Sequence, residues 1–108
     1  MTNTEIDSKL ALAIGYLPQH VAETHGAGRI CIDVKRGKRW HVFSHQDPAV
    51  ILPIMERYEV SVFRLETGEF RAIASISKDC ALSGYTTHTN QRTAAALAVI
   101  KAKEMGLI

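Results

Sequence analysis

Twice in this chain a short alternating apolar segment enters a polar, glycine-bearing turn and re-emerges as a second segment. Arg29–Val34 leads through Lys35-Arg36-Gly37-Lys38 into Arg39–Ser44, and Val60–Leu65 leads through Glu66-Thr67-Gly68-Glu69 into Phe70–Ile76. Each is the pattern of a β-hairpin, in which glycine takes the positive φ that a tight turn demands. A hairpin pairs its own strands antiparallel. Two hairpins therefore commit the chain to antiparallel sheet, and the remaining segments must supply cover.

Three segments read as helices. Thr4 to about Tyr16 places Ile6, Leu10, Ala13, Ile14 and Leu17 on one stripe, with Thr4 as N-cap and Asp7 near the positive helix end. Asp47-Pro48 starts a second helix, whose buried stripe is Ile51, Ile54, Met55 and Tyr58. Pro53 interrupts it, because proline has no amide to bond back to Ala49. A kink there, or a tight turn before a helix beginning near Pro53, is expected. Gln91 to Met105 is the third helix, capped by Thr89 or Asn90, anchored by Leu97 and Ile100, and ended by Gly106. Its alanine-rich first half allows close approach to a sheet.

The order is α-β-β-α-β-β-α. The economical fold is α+β, with one four-stranded, mostly antiparallel sheet packed with helices in a single α/β sandwich domain over residues 1–108. Trp40 and Phe43, and Val62 and Phe63, put apolar side chains on both faces of their strands, which calls for cover on both sides. Trp40 is expected in the core. Gln19–Gly28 and the long polar stretch Ser77–Asn90 read as loops, the second being the longest.

A chain of 108 residues with 46% apolar and 22% charged residues can bury one core without disulfides or metal. The N-terminus is polar and shows no signal peptide, and the longest apolar runs are too short to span a bilayer. A reducing cytosol is expected, with Cys31 and Cys80 as free thiols. The formal net charge is +2, too small for a polybasic binder, so an acidic partner must be met through a local patch.

One such patch exists. Lys35, Arg36, Lys38 and Arg39 hold four of the thirteen basic residues. A protruding turn of this kind suits phosphate or an acidic protein, although turn lysines also guard a sheet edge against pairing.

Reactive constellations are poorly supported. His41 and His45 are four apart on a strand, about 13 Å, too far for one ion. His20, His25 and His88 stand in loops without ligands at useful spacing. A Cys31–His41–Asp33 cluster can be drawn if Asp33 faces His41 across the first hairpin. It lacks a nucleophile elbow and oxyanion donors. Gly26-Ala27-Gly28 precedes a strand rather than a helix, so it makes no phosphate loop. No catalytic residue, metal or cofactor is expected.

The run Pro53-Ile54-Met55-Glu56-Arg57-Tyr58 leads straight into a strand. Phe70-Arg71-Ala72 and an alanine-rich helix from Thr93 to Ala102 follow, and Lys9–Tyr16 closes on glycine and an aromatic residue. Over nearly the whole length this resembles the phage α-β-α sandwich domain family, small phage and prophage accessory proteins of the NinX type. The resemblance implies a phage origin and a bacterial cytoplasmic setting, and it carries no reaction. The function expected is therefore a non-enzymatic protein that binds and modulates a host or phage protein, for example as an inhibitor. Nucleic-acid binding through residues 35–39 is the alternative. The surfaces expected to bind are Lys35, Arg36, Lys38 and Arg39, with Tyr85 and His88 from the long loop. Free sheet edges make a homodimer compatible with this reading.

Overall fold

A computed structural model of the chain describes residues 1–24, 29–33, 40–76, 81–82 and 84–108. Helix α1 spans Asn3–Ala13. Strands β1 (Val21–Glu23), β2 (Ile30–Asp33) and β3 (Trp40–Phe43) follow, then helix α2 (Pro48–Arg57). Strands β4 (Val60–Arg64), β5 (Phe70–Ile76), β6 (Ala81–Leu82) and β7 (Thr86–His88) precede helix α3 (Gln91–Glu104). The class is α+β.

The strands form two antiparallel sheets rather than the single four-stranded sheet expected. The first has the order β1-β2-β3. In the second, β5 is central, with β4 along one side and β6 and β7 in succession along the other. Both hairpins are present. What the sequence could not show is that β3 and β4, separated by α2, do not pair. Two stretches read as loops also contribute strands. Val21–Glu23 pairs with β2, and within the long polar stretch Ala81–Leu82 and Thr86–His88 pair with β5.

Most helix ends follow their local chemistry. The α1 cap is Thr2 rather than Thr4, its side chain accepting from the Glu5 amide at 3.2 Å. Asp47 caps α2 from the Ala49 amide, with Pro48 in the first turn, where its missing N–H costs nothing. The helix is continuous through Pro53, so it does not begin there after a turn. In so short a helix proline forfeits one hydrogen bond, and the packing of Ile51, Ile54 and Tyr58 outweighs it. Asn90 alone caps α3, accepting from Arg92 and Thr93.

Helices α1 and α3 end alike. Gly15 has φ +113° and Gly106 φ +75°. The amides of Tyr16 and Leu107 reach back five residues to the carbonyls of Ala11 and Ala102, at 3.1 and 2.9 Å. A Cβ on Gly15 would meet nothing within 4 Å. The cost of Gly15→Ala is therefore conformational, about 1–2 kcal/mol, and a thermal melt should show it without any change in the folded-state spectrum.

The main core joins α1 (Ile6, Leu10, Ala11), the inner face of the first sheet (Ile30, Ile32, Phe43), α2 (Ile51, Ile54, with Tyr58 just beyond it) and α3 (Ala95, Ala96, Val99, Ile100). In a second layer the fully buried residues are all alanines, with Val60, Val62, Phe70, Leu107 and Ile108 packed around them. Ala72 and Ala74 on β5 meet Ala94, Ala98 and Ala102 on α3, all out of contact with solvent. Alanine at these positions lets the helix lie close on the sheet. Thr86 on β7 ties the two together, its hydroxyl donating to the Ala94 carbonyl at 2.8 Å.

The second face of the first sheet is covered over β2, where Cys31 and Asp33 are buried, but open over β3. Trp40, expected in the core, is 45% exposed, and Val42 beside it is 51% exposed. Leu17, expected on the α1 stripe, is also exposed, because α1 stops at Ala13.

Candidate functional site

Among the described residues, two arrangements stand out. One is a buried polar chain and the other an exposed aromatic cluster.

The polar chain begins at Asp7. On α1 it lies one turn from Leu10 and Ala11, on the buried face, and it is 6% exposed. Its Oδ1 accepts from His45 twice, from the backbone amide at 2.7 Å and from ring Nδ1 at 2.5 Å. His45 stands just after β3 and is wholly buried. Its Nε2 lies 3.0 Å from the Thr93 hydroxyl in the first turn of α3. Gln46 closes the chain. Its side-chain amide nitrogen donates to Thr93 Oγ1 at 2.9 Å and approaches His45 Nε2 at 3.1 Å, while its backbone carbonyl accepts from the Arg92 guanidinium. An amide nitrogen only donates and a carboxylate only accepts, so the pattern suits the tautomer with the proton on Nδ1.

Acid to Nδ1 and hydroxyl to Nε2 is the connectivity of a hydrolytic triad. Here, however, Thr93 is 1% exposed and the Gln46 amide occupies the approach to both its oxygen and Nε2. A substrate carbonyl has no path to that oxygen in this conformation. The arrangement instead fastens α1, the segment after β3, and α3 to one another.

The exposed cluster lies on the second sheet, on the face turned away from α3. Register places Phe63, Arg71 and Thr87 in one row across β4, β5 and β7. Tyr85, just before β7, reaches over β5, its ring 6.3 Å from that of Phe63 and nearly perpendicular to it. The Arg71 guanidinium lies 5.0 Å from the centre of the Tyr85 ring. Arg71 Nε is out of water and has no hydrogen-bond partner among the described residues. Phe63 is 43% and Tyr85 57% exposed, with Leu82 also open to solvent nearby. The Tyr85 backbone is pinned from behind, its carbonyl accepting from Lys101 of α3 at 3.2 Å.

The residues singled out in the sequence are distributed as follows. Lys35, Arg36, Lys38 and Arg39 lie outside the described residues, as do His25, Gly26, Gly28 and Cys80. Tyr85 belongs to the aromatic cluster. His88 is on the opposite face, where its Nδ1 accepts from the Asn90 amide at the start of α3, so the two are not brought together. The Cys31–His41–Asp33 cluster does not form. Cys31 pairs with Val42 and Asp33 with Trp40, which leaves His41 opposite Ile32 on the other face. Cys31 is a buried free thiol. Among the described residues no group of three His, Cys, Asp or Glu side chains could hold a metal ion, and no helix is long and apolar enough to cross a membrane.

Sequence reasoning missed Asp7, His45 and Thr93 as a unit. The available signal was Asp7 itself, a carboxylate on an apolar stripe that must find a donor. It also missed the aromatic cluster, because Tyr85 meets Phe63 only once β7 is known to return along β5. Compared with known protein families and with curated proteins, the chain matches none.

Proposed function

We propose that this chain is a small non-enzymatic accessory protein of phage or prophage type, acting in the bacterial cytoplasm by binding a host or phage macromolecule. The surface we assign to that role is the outer face of the second sheet. The observation that carries this reading is the Phe63–Arg71–Tyr85 cluster. Two half-exposed rings and a cation are held in fixed relation on a sheet face that no described helix covers. Tyrosine, phenylalanine and arginine are enriched at the centres of binding surfaces, the rings offering large contact area for little lost freedom and arginine a planar hydrogen-bonding cation. The resemblance to phage accessory domains agrees with this, as does the burial of the triad-like chain found among the described residues. The basic turn at residues 35–39 is a second surface on the same reading.

Phe63→Ala with Tyr85→Ala tests it. Both rings are largely solvent-facing, so the double variant should lose only about 1 kcal/mol of stability. The tagged protein, exposed to nuclease-treated and untreated bacterial lysate, should capture a partner that the folded double variant does not. Equal capture by both discards this face as the binding surface.

A further inference from the structure

Beyond that reading, we infer that the free edge of β3 takes an extended acidic segment of a partner polypeptide as an added strand. The edge follows from the hydrogen-bond pattern. The Thr24 amide donates to the Arg29 carbonyl at 2.8 Å, which makes these two residues a bonded pair one step beyond the β1–β2 register. Alternation then turns the backbone groups of Cys31 toward β1 and those of Ile30 and Ile32 toward β3. Their partners Phe43 and His41 therefore bond inward to β2. Trp40 and Val42 aim their N–H and C=O groups the other way, and among the described residues no strand lies along that side. Both side chains are about half exposed on the outer face. β3 itself carries no lysine, proline or bulge, the devices that keep an edge from pairing.

Outward backbone groups at strand spacing are matched by another extended backbone. A helix has already spent its own groups internally, and an apolar surface would bury these without partners. Charge then selects among extended segments. Arg39, bonded directly to Trp40, ends the basic run that begins at Lys35. At the other end of the strand, the register carried one step on sets exposed Arg29 opposite Ser44, on the same face as Trp40 and Val42. The acids nearest β3 leave these cations unmatched at the surface. Asp7 and Asp33 are each 6% exposed, and the Asp47 carboxylate accepts from the Ala49 amide as the cap of α2. A second copy added antiparallel to this edge would bring a second Arg39 and basic run to the same short ladder, with no acid on either strand. A strand with acids at its ends and β-branched residues between them meets an arginine at each end and packs on Trp40 and Val42.

The decisive experiment is fluorescence anisotropy at low salt with a labelled peptide of about nine residues, alternating valine and threonine between terminal pairs of Asp and Glu, and with its Lys and Arg counterpart. The acidic peptide is expected to bind, with the basic one at least about tenfold weaker. Two blocked versions of the acidic peptide carry backbone N-methyl groups on either the valines or the threonines. Only one alternate set faces β3, so one version should lose binding and the other keep it. Val42→Pro removes an N–H that the β2–β3 ladder does not use, so the fold should be retained while binding falls by about 5- to 100-fold. Val42→Thr keeps the N–H and should bind within about fivefold of the unaltered protein. Arg29→Ala should weaken binding and flatten its salt dependence. Circular dichroism and melting of each variant exclude unfolding as the cause, and the N-methylated pair is read on the unaltered protein.

Absence of binding by the acidic peptide overturns the inference, as do equal losses with both N-methylated versions or binding indifferent to Val42→Pro in a folded variant. A concentration-dependent dimer, seen by sedimentation and abolished by Val42→Pro, would give the edge to a second copy and overturn it too. The Phe63→Ala, Tyr85→Ala double variant keeps this inference apart from the proposed sheet-face function, since it should bind the peptide as the unaltered protein does. If the peptide does not bind while that variant still loses its lysate partner, the edge fails and the sheet face stands. If the peptide binds as described and the variant loses nothing, the edge stands and the sheet face fails.

Discussion

Replacing His45 with alanine should destabilise the fold by about 3–5 kcal/mol, because it leaves a buried carboxylate without the ring donor and empties a fully buried site. The ring is wholly buried and meets side chains of two helices, Asp7 of α1 at 2.5 Å and Thr93 of α3 at 3.0 Å. In the variant the Asp7 carboxylate stays buried with, among the described residues, only the residue 45 amide as donor, and the vacated volume lies between three elements. A chain of this size has only about 5–15 kcal/mol of stability to lose. A fall in melting temperature of roughly 15–30 °C is expected from a thermal scan. Asp7→Asn should be milder, about 1.5–3 kcal/mol, because it retains an oxygen to accept from the ring and the backbone while giving up the charge. The pair can be isolated by a cycle. Asp7→Ala with His45→Ala should cost less than the sum of the single changes, by about 0.5–3 kcal/mol, since the first change already removes what the second would orphan. Strict additivity would mean that the two residues act on the fold independently and that the short contact carries little.

The same network shows what was legible in the chain and what was not. Asp47-Pro48, Asn90 and the glycines at 15, 68 and 106 are local signals, and each sits where its chemistry places it. Alternation along β5 sets Ala72 and Ala74 on one face, and the structure shows that face to be the buried one. Non-local pairings were not readable. Nothing near β3 says that its free edge stays unpaired with β4, so a single sheet was the simpler expectation. Val21–Glu23 is too short to show a period. Thr86-Thr87-His88 is polar enough to pass for loop, although its threonines are β-branched and the Thr86 hydroxyl finds carbonyl partners on β5 and α3. The candidate binding face inherits this blindness. Phe63 looked like a residue needing cover, and Tyr85 looked like a loop residue. Only the return of β7 along β5 makes them neighbours.

The close approach of α3 to the second sheet yields the other large effect. Ala98→Leu should cost about 1–3 kcal/mol, at the upper end of that range. Leucine and alanine are both good helix formers, so the loss cannot come from propensity. Ala98 has no exposed surface, its neighbours one turn away on α3 are Ala94 and Ala102, and the strand it faces presents Ala72 and Ala74, equally enclosed. A leucine there can be accommodated only by moving the helix away from β5 or by forcing a strained rotamer. Moving the helix stretches the Thr86 bond to the Ala94 carbonyl and the Lys101 bond to the Tyr85 carbonyl, at 2.8 and 3.2 Å. Those bonds hold β7 and the backbone of Tyr85 from behind. Ala98→Leu is therefore expected to loosen the Phe63–Tyr85 ring pair on the far side of the sheet, seen as a weaker near-ultraviolet circular dichroism signal, while Ala98→Gly, which costs about 1 kcal/mol in helix propensity alone, should leave that signal intact. A leucine variant with unchanged stability would show that the alanine layer has room to spare and that the ring geometry is set within the sheet itself.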